Sequence, residues 1–459
     1  MTDVKTQSAI EVKEMTALEA ATEIRSREMT IEQLVDMPMG SIFSCPKELQ
    51  DAGFKQDKFI LDKCYGSTYN NSYRVIYFTP NQFNKREHYV DKNIKVTLLN
   101  EPNRQKKWRK HQAAHIDQYS YLSCSIGTDP EIFVRHGNGE IFPAFEFLGS
   151  VDKPIYTKDY YKQKVYWDGW QAEFQTKPNT CLGYLSDSIY YGLLAVFEEA
   201  RKKDSTAKLS SDTLIKLPYN ELKDKPIEYV QFGCKPSLNA YGLTPGPLDG
   251  RNIPFRSTGG HLHFGFYKTK IDKIKMIKSL DAILGVCCVS MFRNFDNPIR
   301  REFYGLVGEY RDTSYGNGEE GFEYRTLSSS WLDHPAITNL VFDLGRGAAA
   351  VGYYNFADLW QVDEKEVIEI VQTCNANKAK AVVEKNHSML VSILKAYYTE
   401  PIAEVAYQTI INGMEYIIAD PTDVIKNWKL GENDWQEHCD KNEKNWSKNA
   451  KRLLKGEKA

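Results

Sequence analysis

Gly259-Gly260-His261-Leu262-His263-Phe264-Gly265-Phe266 sets two imidazoles two residues apart in an apolar run that follows a glycine pair. In an extended chain, residues i and i+2 share a face, so His261 and His263 point one way and Leu262, Phe264 and Phe266 the other. The stretch reads as a strand with a polar working face and a core face. Three further segments alternate in the same way. They carry Asp129 and Glu131 within 125–134, Gln171, Glu173 and Gln175 against Trp170, Ala172 and Phe174, and Glu323 and Arg325 within 321–326. Any one of them is what a half-buried strand facing water shows. Together, Glu131, Glu173, Glu323 and a histidine on neighbouring strands would converge into a cup for a hard divalent cation, because Mg²⁺ and Mn²⁺ favour carboxylate oxygen and tolerate imidazole. Arg300, Arg301, Arg311 and Arg325 stand close by in sequence and suit forked recognition of phosphate or carboxylate.

A chain of 459 residues exceeds one minimal core, and 42% hydrophobic with 26% charged residues is ordinary for a folded protein. The formal net charge of −2, from 59 basic and 61 acidic residues, makes no bulk electrostatic case for nucleic acid or an anionic membrane. The 9 cysteines contain no C-x-x-C pair, and an odd number cannot all pair within one chain. They read as reduced, mostly buried thiols, which makes a nucleophilic role for Cys124 or Cys234 the weaker reading. The first residues lack a hydrophobic signal core, and no run of about 18 apolar residues occurs anywhere. A cytoplasmic protein is the expectation.

Residues 1–40 read as amphipathic helix, with Thr30 a cap before Ile31-Glu32-Gln33-Leu34. Residues 41–120 turn to aromatic and β-branched runs such as Tyr73-Arg74-Val75-Ile76-Tyr77-Phe78, and 1–120 is taken as an accessory region. The basic cluster RQKKWRK at 104–110 reads as a solvated linker or helix face in preference to a polyanion contact. Residues 121–420 form the chemistry-bearing domain, α+β in composition. Within it, 125–134 reads as one strand entering a hairpin, 165–176 as a strand pair around Asp168-Gly169, and 185–203, 271–293 and 363–397 as helical. Residues 421–459 read as a charged helical extension that packs Trp428, Trp435 and Trp446 on the body.

The ordered set GTDPEIFV, DGWQAEFQT, GCKPSLNAYG, TGGHLHFGF, YGLVGEYR and EYRTLSSSWL resembles the phage-type carboxylate-amine ligases, type 2 amidoligases of the glutamine synthetase and glutamate-cysteine ligase superfamily. The resemblance covers residues 123–335 well, the following helical region loosely and 1–120 not at all. It implies an α+β fold in which a curved, mainly antiparallel sheet forms a funnel flanked by helices. ATP would enter one end, and the acid and amine the other. It also implies metal ligation by Glu131, Glu173 and Glu323, with His261 or His263 a further ligand or a nucleotide contact, His261 being the choice for metal. Glu131, Glu173, Arg311 and Arg325 become the implied catalytic residues, and Arg301 and Asn239 join the two histidines in cofactor binding. Asp129 is implied to stand behind the ligands, and Lys235 occupies a position where the pattern leads one to expect an acid.

The cofactors so implied are ATP and Mg²⁺ or Mn²⁺, and the reaction is amide formation through an acyl phosphate. The implied partners are an acid and an amine, either small molecules, peptides or proteins, with 1–120 available for a virion or host-protein contact. Two other readings stay open. One is a His-x-His zinc or iron hydrolase or oxygenase that recruits His136 or His334. The other is a non-catalytic phage structural or interaction protein on a ligase-like body.

Overall fold

A computed structural model describes residues 27–431 apart from short segments at 38–39, 55, 67–71, 82–83, 115–123, 160–161, 224, 231–236, 245–249, 251, 268–270 and 317–318. The chain divides into two compact units, 1–114 and 115–459. In the first, six strands form one antiparallel sheet: β1 (Arg27–Thr30), β2 (Ile42–Ser44), β3 (Lys58–Gly66), β4 (Ser72–Phe78), β5 (Lys85–Asp91) and β6 (Lys95–Leu99), in the order β1-β6-β2-β3-β4-β5. One face carries a core of Phe43, Phe54, Phe59, Leu61, Val75 and Tyr77. A helix, Pro102–Ala114, lays Trp108 against Phe78 with ring centroids 4.3 Å apart. Arg104 of the basic cluster pairs with Glu101 at 2.8 Å, and Lys106 and Lys107 face solvent, as a helix face would.

The helical expectation for 1–40 needs correction over its described part. Arg27–Thr30 is a strand, paired with β6 through Met29 and Val96, and Ile31–Asp36 is a 3₁₀ turn that buries Ile31 and Leu34. Thr30 does cap that turn, in a capping box with Gln33. Residues 1–26 lie outside the described residues.

The second unit holds β7 (Ser125–Thr128), β8 (Glu131–Arg135), β9 (Ile141–Phe142), β10 (Ile155–Tyr156), β11 (Lys164–Asp168), β12 (Gln171–Phe174), β13 (Lys208–Ser210), β14 (Leu214–Lys216), β15 (Leu238–Asn239), β16 (Phe255–Ser257), β17 (Leu262–Tyr267), β18 (Glu309–Gly316) and β19 (Glu319–Tyr324). One antiparallel sheet runs β10-β11-β12-β8-β13 with β9 beside β8, a second runs β15-β18-β19-β17-β7, and β14 and β16 pair alone. The single strand expected over 125–134 is in fact two. Proline has no N–H to give a ladder, so Asp129-Pro130 breaks the pairing, and β7 and β8 join different sheets.

Helices pack on the core face of the five-stranded sheet, where Leu262, Phe264, Phe266, Phe322 and Tyr324 are all fully buried. Leu182–Lys203 and the run from Lys273 to Met291, interrupted by a π turn at Asp281–Gly285, match the helices expected there. The region 363–397 is helical as expected, divided into three helices because Cys374 takes a left-handed conformation (φ 51°) and Asn386 ends the second helix. Trp428, on the short helix Val424–Trp428, is buried and donates to the Leu332 carbonyl at 2.6 Å. The rest of the C-terminal extension, with Trp435 and Trp446, lies outside the described residues. Among the described residues, no helix is long and apolar enough to cross a membrane.

Phe322 stacks between Phe264 and Phe266, with centroids at 5.3 and 6.1 Å, directly behind the polar face that carries Glu323. Truncation of Phe322 to alanine should therefore lower unfolding stability by about 3–5 kcal/mol. Denaturant unfolding followed by tryptophan fluorescence checks this, and a loss well under 1 kcal/mol would show that the sheet is not seated on that core.

Candidate active site

Register sets the first half of the site. On the polar face of the five-stranded sheet, His263 of β17 stands directly opposite Glu323 of β19, and Glu323 opposite Arg311 of β18. Opposed residues on neighbouring strands bring their side chains within contact reach. Arg311 Nη1 lies 3.5 Å from Glu323 Oε2, and Arg325, two residues along the same face, contacts Glu323 and sets Nε 3.4 Å from Glu309 Oε1.

The other sheet presents a matching row, in which Glu131 of β8 pairs with Glu173 of β12 and Glu173 with Tyr166 of β11. The Tyr166 hydroxyl donates to Glu173, and Gln175 donates to that hydroxyl at 2.9 Å. Asp168 shares the face of Tyr166. Glu131, Asp168 and Glu173 thus bring oxygen atoms within 4.8 Å of one another, and so do ligand atoms of Asp129, His263 and Glu323.

Asp129 sits where the chain passes from one sheet to the other. Its Oδ1 is 3.0 Å from His263 Nε2 and 3.4 Å from His261 Nδ1, which is also 3.3 Å from Glu323 Oε1. Glu131 is pinned by two bonds to one residue, since its N–H donates to the Gly259 carbonyl at 2.9 Å and its Oε2 accepts from the Gly259 N–H at 2.7 Å. Its Oε1 accepts from the Tyr304 hydroxyl at 2.9 Å, and the same hydroxyl is 2.9 Å from His261 Nε2.

The two clusters differ in charge balance. Burial and the neighbouring charge of Asp168 push the Glu131 carboxyl up to about 8, and burial pushes Asp168 up to about 6. Burial, with the charges of Asp129, Asp168 and Glu131, holds Glu173 well above the usual carboxylate range. In the other cluster burial works against charge on Asp129, yet His263 and His261 overcome it and hold its carboxyl below the usual range. His263 is correspondingly raised by Asp129 against its own burial, whereas burial and Arg325 lower His261.

An all-carboxylate cluster strained by its own charge is what a divalent cation relieves, and its hard oxygen donors suit Mg²⁺ or Mn²⁺. The aspartate, histidine and glutamate of the second cluster suit the same ions. The residues present therefore fit the implied metals.

The structure gathers Glu131, Glu173, His261, His263, Glu323, Arg311 and Arg325 into this region. It groups His263 with Asp129 and Glu323 as potential ligand atoms, and it sets His261 Nδ1 3.4 and 3.3 Å from the same two carboxylates. Asp129, expected behind the ligands, has an oxygen among those potential ligand atoms. Arg301 is directed elsewhere: its guanidinium contacts the Gly305 and Thr326 carbonyls and lies 2.9 Å from Asp296. Arg300 gives its donors to the Thr258, Thr326 and Leu327 carbonyls. Asn239 braces its own loop, donating to the Val307 carbonyl and accepting from the N–H groups of Tyr241 and Leu243. Lys235 lies outside the described residues.

Asp168 and Tyr304 went unread in the sequence. The i, i+2 relation of Tyr166 and Asp168, on the strand facing Glu173, carried the signal for the first. Nothing in the spacing around Tyr304 marked the second.

Residues 250–430 match the family model described as phage phiEco32-like COOH.NH2 ligase-type 2. That stretch holds His261, His263, Tyr304, Arg311, Glu323 and Arg325, whereas Asp129, Glu131, Asp168 and Glu173 precede it. No curated protein matches the chain. Among solved structures, the chain is similar to a bifunctional glutathione synthetase from Pasteurella multocida, at 12% identity and a TM-score of 0.36 over 76% of this chain and 55% of that one. It is also similar to a novel glutamine synthase homolog, at 10% identity and a TM-score of 0.30 over 70% and 74% of the two chains. The chain thus spans about half the length of the glutathione synthetase.

The raised carboxyls carry a pH signature. A carboxyl held at about 8 in the folded protein, against 4.5 unfolded, favours folding below the lower value, and that contribution is lost as pH rises through the higher one. A cation needs the deprotonated form, so Mg²⁺ should bind more tightly at pH 8 than at pH 6 and release protons on binding. In thermal melts the metal-free protein should lose stability between pH 6 and 8, and the Mg²⁺-induced rise in Tm should grow over the same window. A Mg²⁺ shift that shrinks with rising pH would contradict the cluster's role.

Proposed function

We propose that the chain is an ATP- and Mg²⁺-dependent carboxylate-amine ligase that forms an amide through an acyl phosphate. One observation carries the reading. Two acidic clusters, Glu131-Asp168-Glu173 and Asp129-His263-Glu323, stand on facing register rows and are joined through Tyr304 and His261, with Arg311 at the edge of the second. The match of 250–430 to a COOH.NH2 ligase family supports it. Bound divalent cations, held by these six residues, would neutralise the charge of the triphosphate and of the transferring phosphoryl group.

The chain's own groups divide the remaining work. Arg311, whose side chain is 26% exposed, can reach a phosphate or substrate carboxylate, while Arg325, at 2%, is locked between Glu323 and Glu309 and orients Glu323. A substrate carboxylate oxygen attacks the γ-phosphorus of ATP and the bond to the β,γ-bridging oxygen breaks, releasing ADP. The amine nitrogen then attacks the acyl carbon, its proton passes to a nearby carboxylate, and phosphate leaves with the electrons of the C–O bond. Positioning and fixed charge suffice for both steps, since the protein supplies no covalent nucleophile.

The histidine-rich metalloenzyme reading loses support from the same geometry. Neither imidazole named for that site is at hand, because His136 pairs with Asp204 at 2.7 Å and His334 caps the helix Pro335–Tyr353. A screen of acid and amine mixtures for Mg²⁺-dependent phosphate release from ATP, with mass spectrometry of the products, tests the proposal. Phosphate release and an amide product should require both substrates, and Glu173→Ala and Glu323→Ala should each abolish them. Undiminished turnover in both variants would place the site elsewhere, and stoichiometric tightly bound zinc or iron in protein purified without added metal would overturn the ligase reading.

A further inference from the structure

One hydroxyl connects the two clusters. Tyr304 is buried, and its Oη is 2.9 Å from Glu131 Oε1 on one side and 2.9 Å from His261 Nε2 on the other. The far nitrogen of His261 approaches both Glu323 and Asp129, at 3.3 and 3.4 Å, so a four-part chain runs from Glu131 through Tyr304 and His261 into the second cluster.

Other groups pack closely about that chain. The guanidinium carbons of Arg300 and Arg325 lie 5.2 and 5.5 Å from the Tyr304 ring centre, and Arg300 is itself anchored by three backbone carbonyls. Gly259, which grips Glu131, passes so close that a Cβ there would stand 2.4 Å from His261 Nε2 and 2.8 Å from the Tyr304 hydroxyl.

We propose that Tyr304 is a positioning residue that couples divalent-cation binding at Glu131-Asp168-Glu173 to binding at Asp129-His263-Glu323. The inference rests on the reading of both clusters as metal sites. The first cation fixes Glu131. Through the phenol this orders His261, and with it the Glu323 and Asp129 carboxylates against which His261 rests. The second cation then meets ligands already in place, and so binds more tightly than the first.

Mn²⁺ titration of the full-length protein, followed by electron paramagnetic resonance of the free ion, reads this without turnover. Wild type should take up two ions, with the second favoured by about fivefold or more. Tyr304→Phe keeps the ring and removes the bridge; it should still take up two ions, with the ratio of affinities falling to the statistical value. An unchanged ratio in Tyr304→Phe overturns the coupling role while leaving the metal reading intact. Absence of any Mn²⁺ binding by wild type overturns the metal reading and the inference with it. If circular dichroism shows Tyr304→Phe unfolded, His261→Gln cuts the same chain from the other end: loss of coupling supports the role, and retained coupling overturns it.

Discussion

The reciprocal bonds between Glu131 and Gly259 are the contact on which the site depends. They fasten β8 of one sheet to the turn that opens β17 of the other, and they do so with a backbone pair plus a carboxylate oxygen, in a place closed to solvent. A buried polar group left without its hydrogen-bond partner costs about 1–3 kcal/mol, so neither bond is readily given up. The two polar faces are thereby held in one relation, and each register row acquires its counterpart. Glu131 remains on its own sheet while touching, through Tyr304, a histidine that belongs to the other.

Pro130 makes this geometry possible. An unbroken strand would leave Asp129 and Glu131 side by side on one face, competing for one cation. With the ladder interrupted, Asp129 stays with His261 and His263 while Glu131 joins Asp168 and Glu173. The two carboxylates consequently sit in opposite electrostatic settings, one held charged by imidazoles and one pushed toward its neutral form by burial and Asp168. The arginines follow the same economy. Arg325 is spent on Glu323 and Glu309, and Arg300 on carbonyls that shape the floor beneath Tyr304, which leaves Arg311 as the more exposed guanidinium of the group.

Alternation made the strands and their polar faces legible, because a half-buried strand must place its site residues at i and i+2. That is why His261, His263, Glu173, Glu323 and Arg325 could be named from spacing alone. It failed where a break overrode the period, as at Pro130, and where the useful residue was read as part of a turn, as with Asp168. Tyr304 lay outside any periodic pattern, being delivered by a loop that follows the 3₁₀ turn Pro298–Glu302. Arg301 and Asn239 meet backbone carbonyls. Guanidinium and amide groups look alike in sequence whether they meet a ligand or a backbone carbonyl, and only the fold shows which carbonyls need them. In the accessory region, β-sheet pairing overrode the helical composition at Arg27–Thr30.

A site assembled from two sheets also constrains how the second unit reaches its final state. Glu131, Asp168 and Glu173 lie on strands before residue 175, and His263 and Glu323 on strands after residue 261, so neither cluster's environment is complete until both sheets have formed and met. Crowded carboxylates oppose that meeting, most strongly at pH values where they are charged. The apolar face behind β17 and β19 drives the sheet onto its helices, but nothing in that face relieves the charge on the polar side. A divalent cation at each cluster would do so, and its binding energy would then enter the folding balance directly.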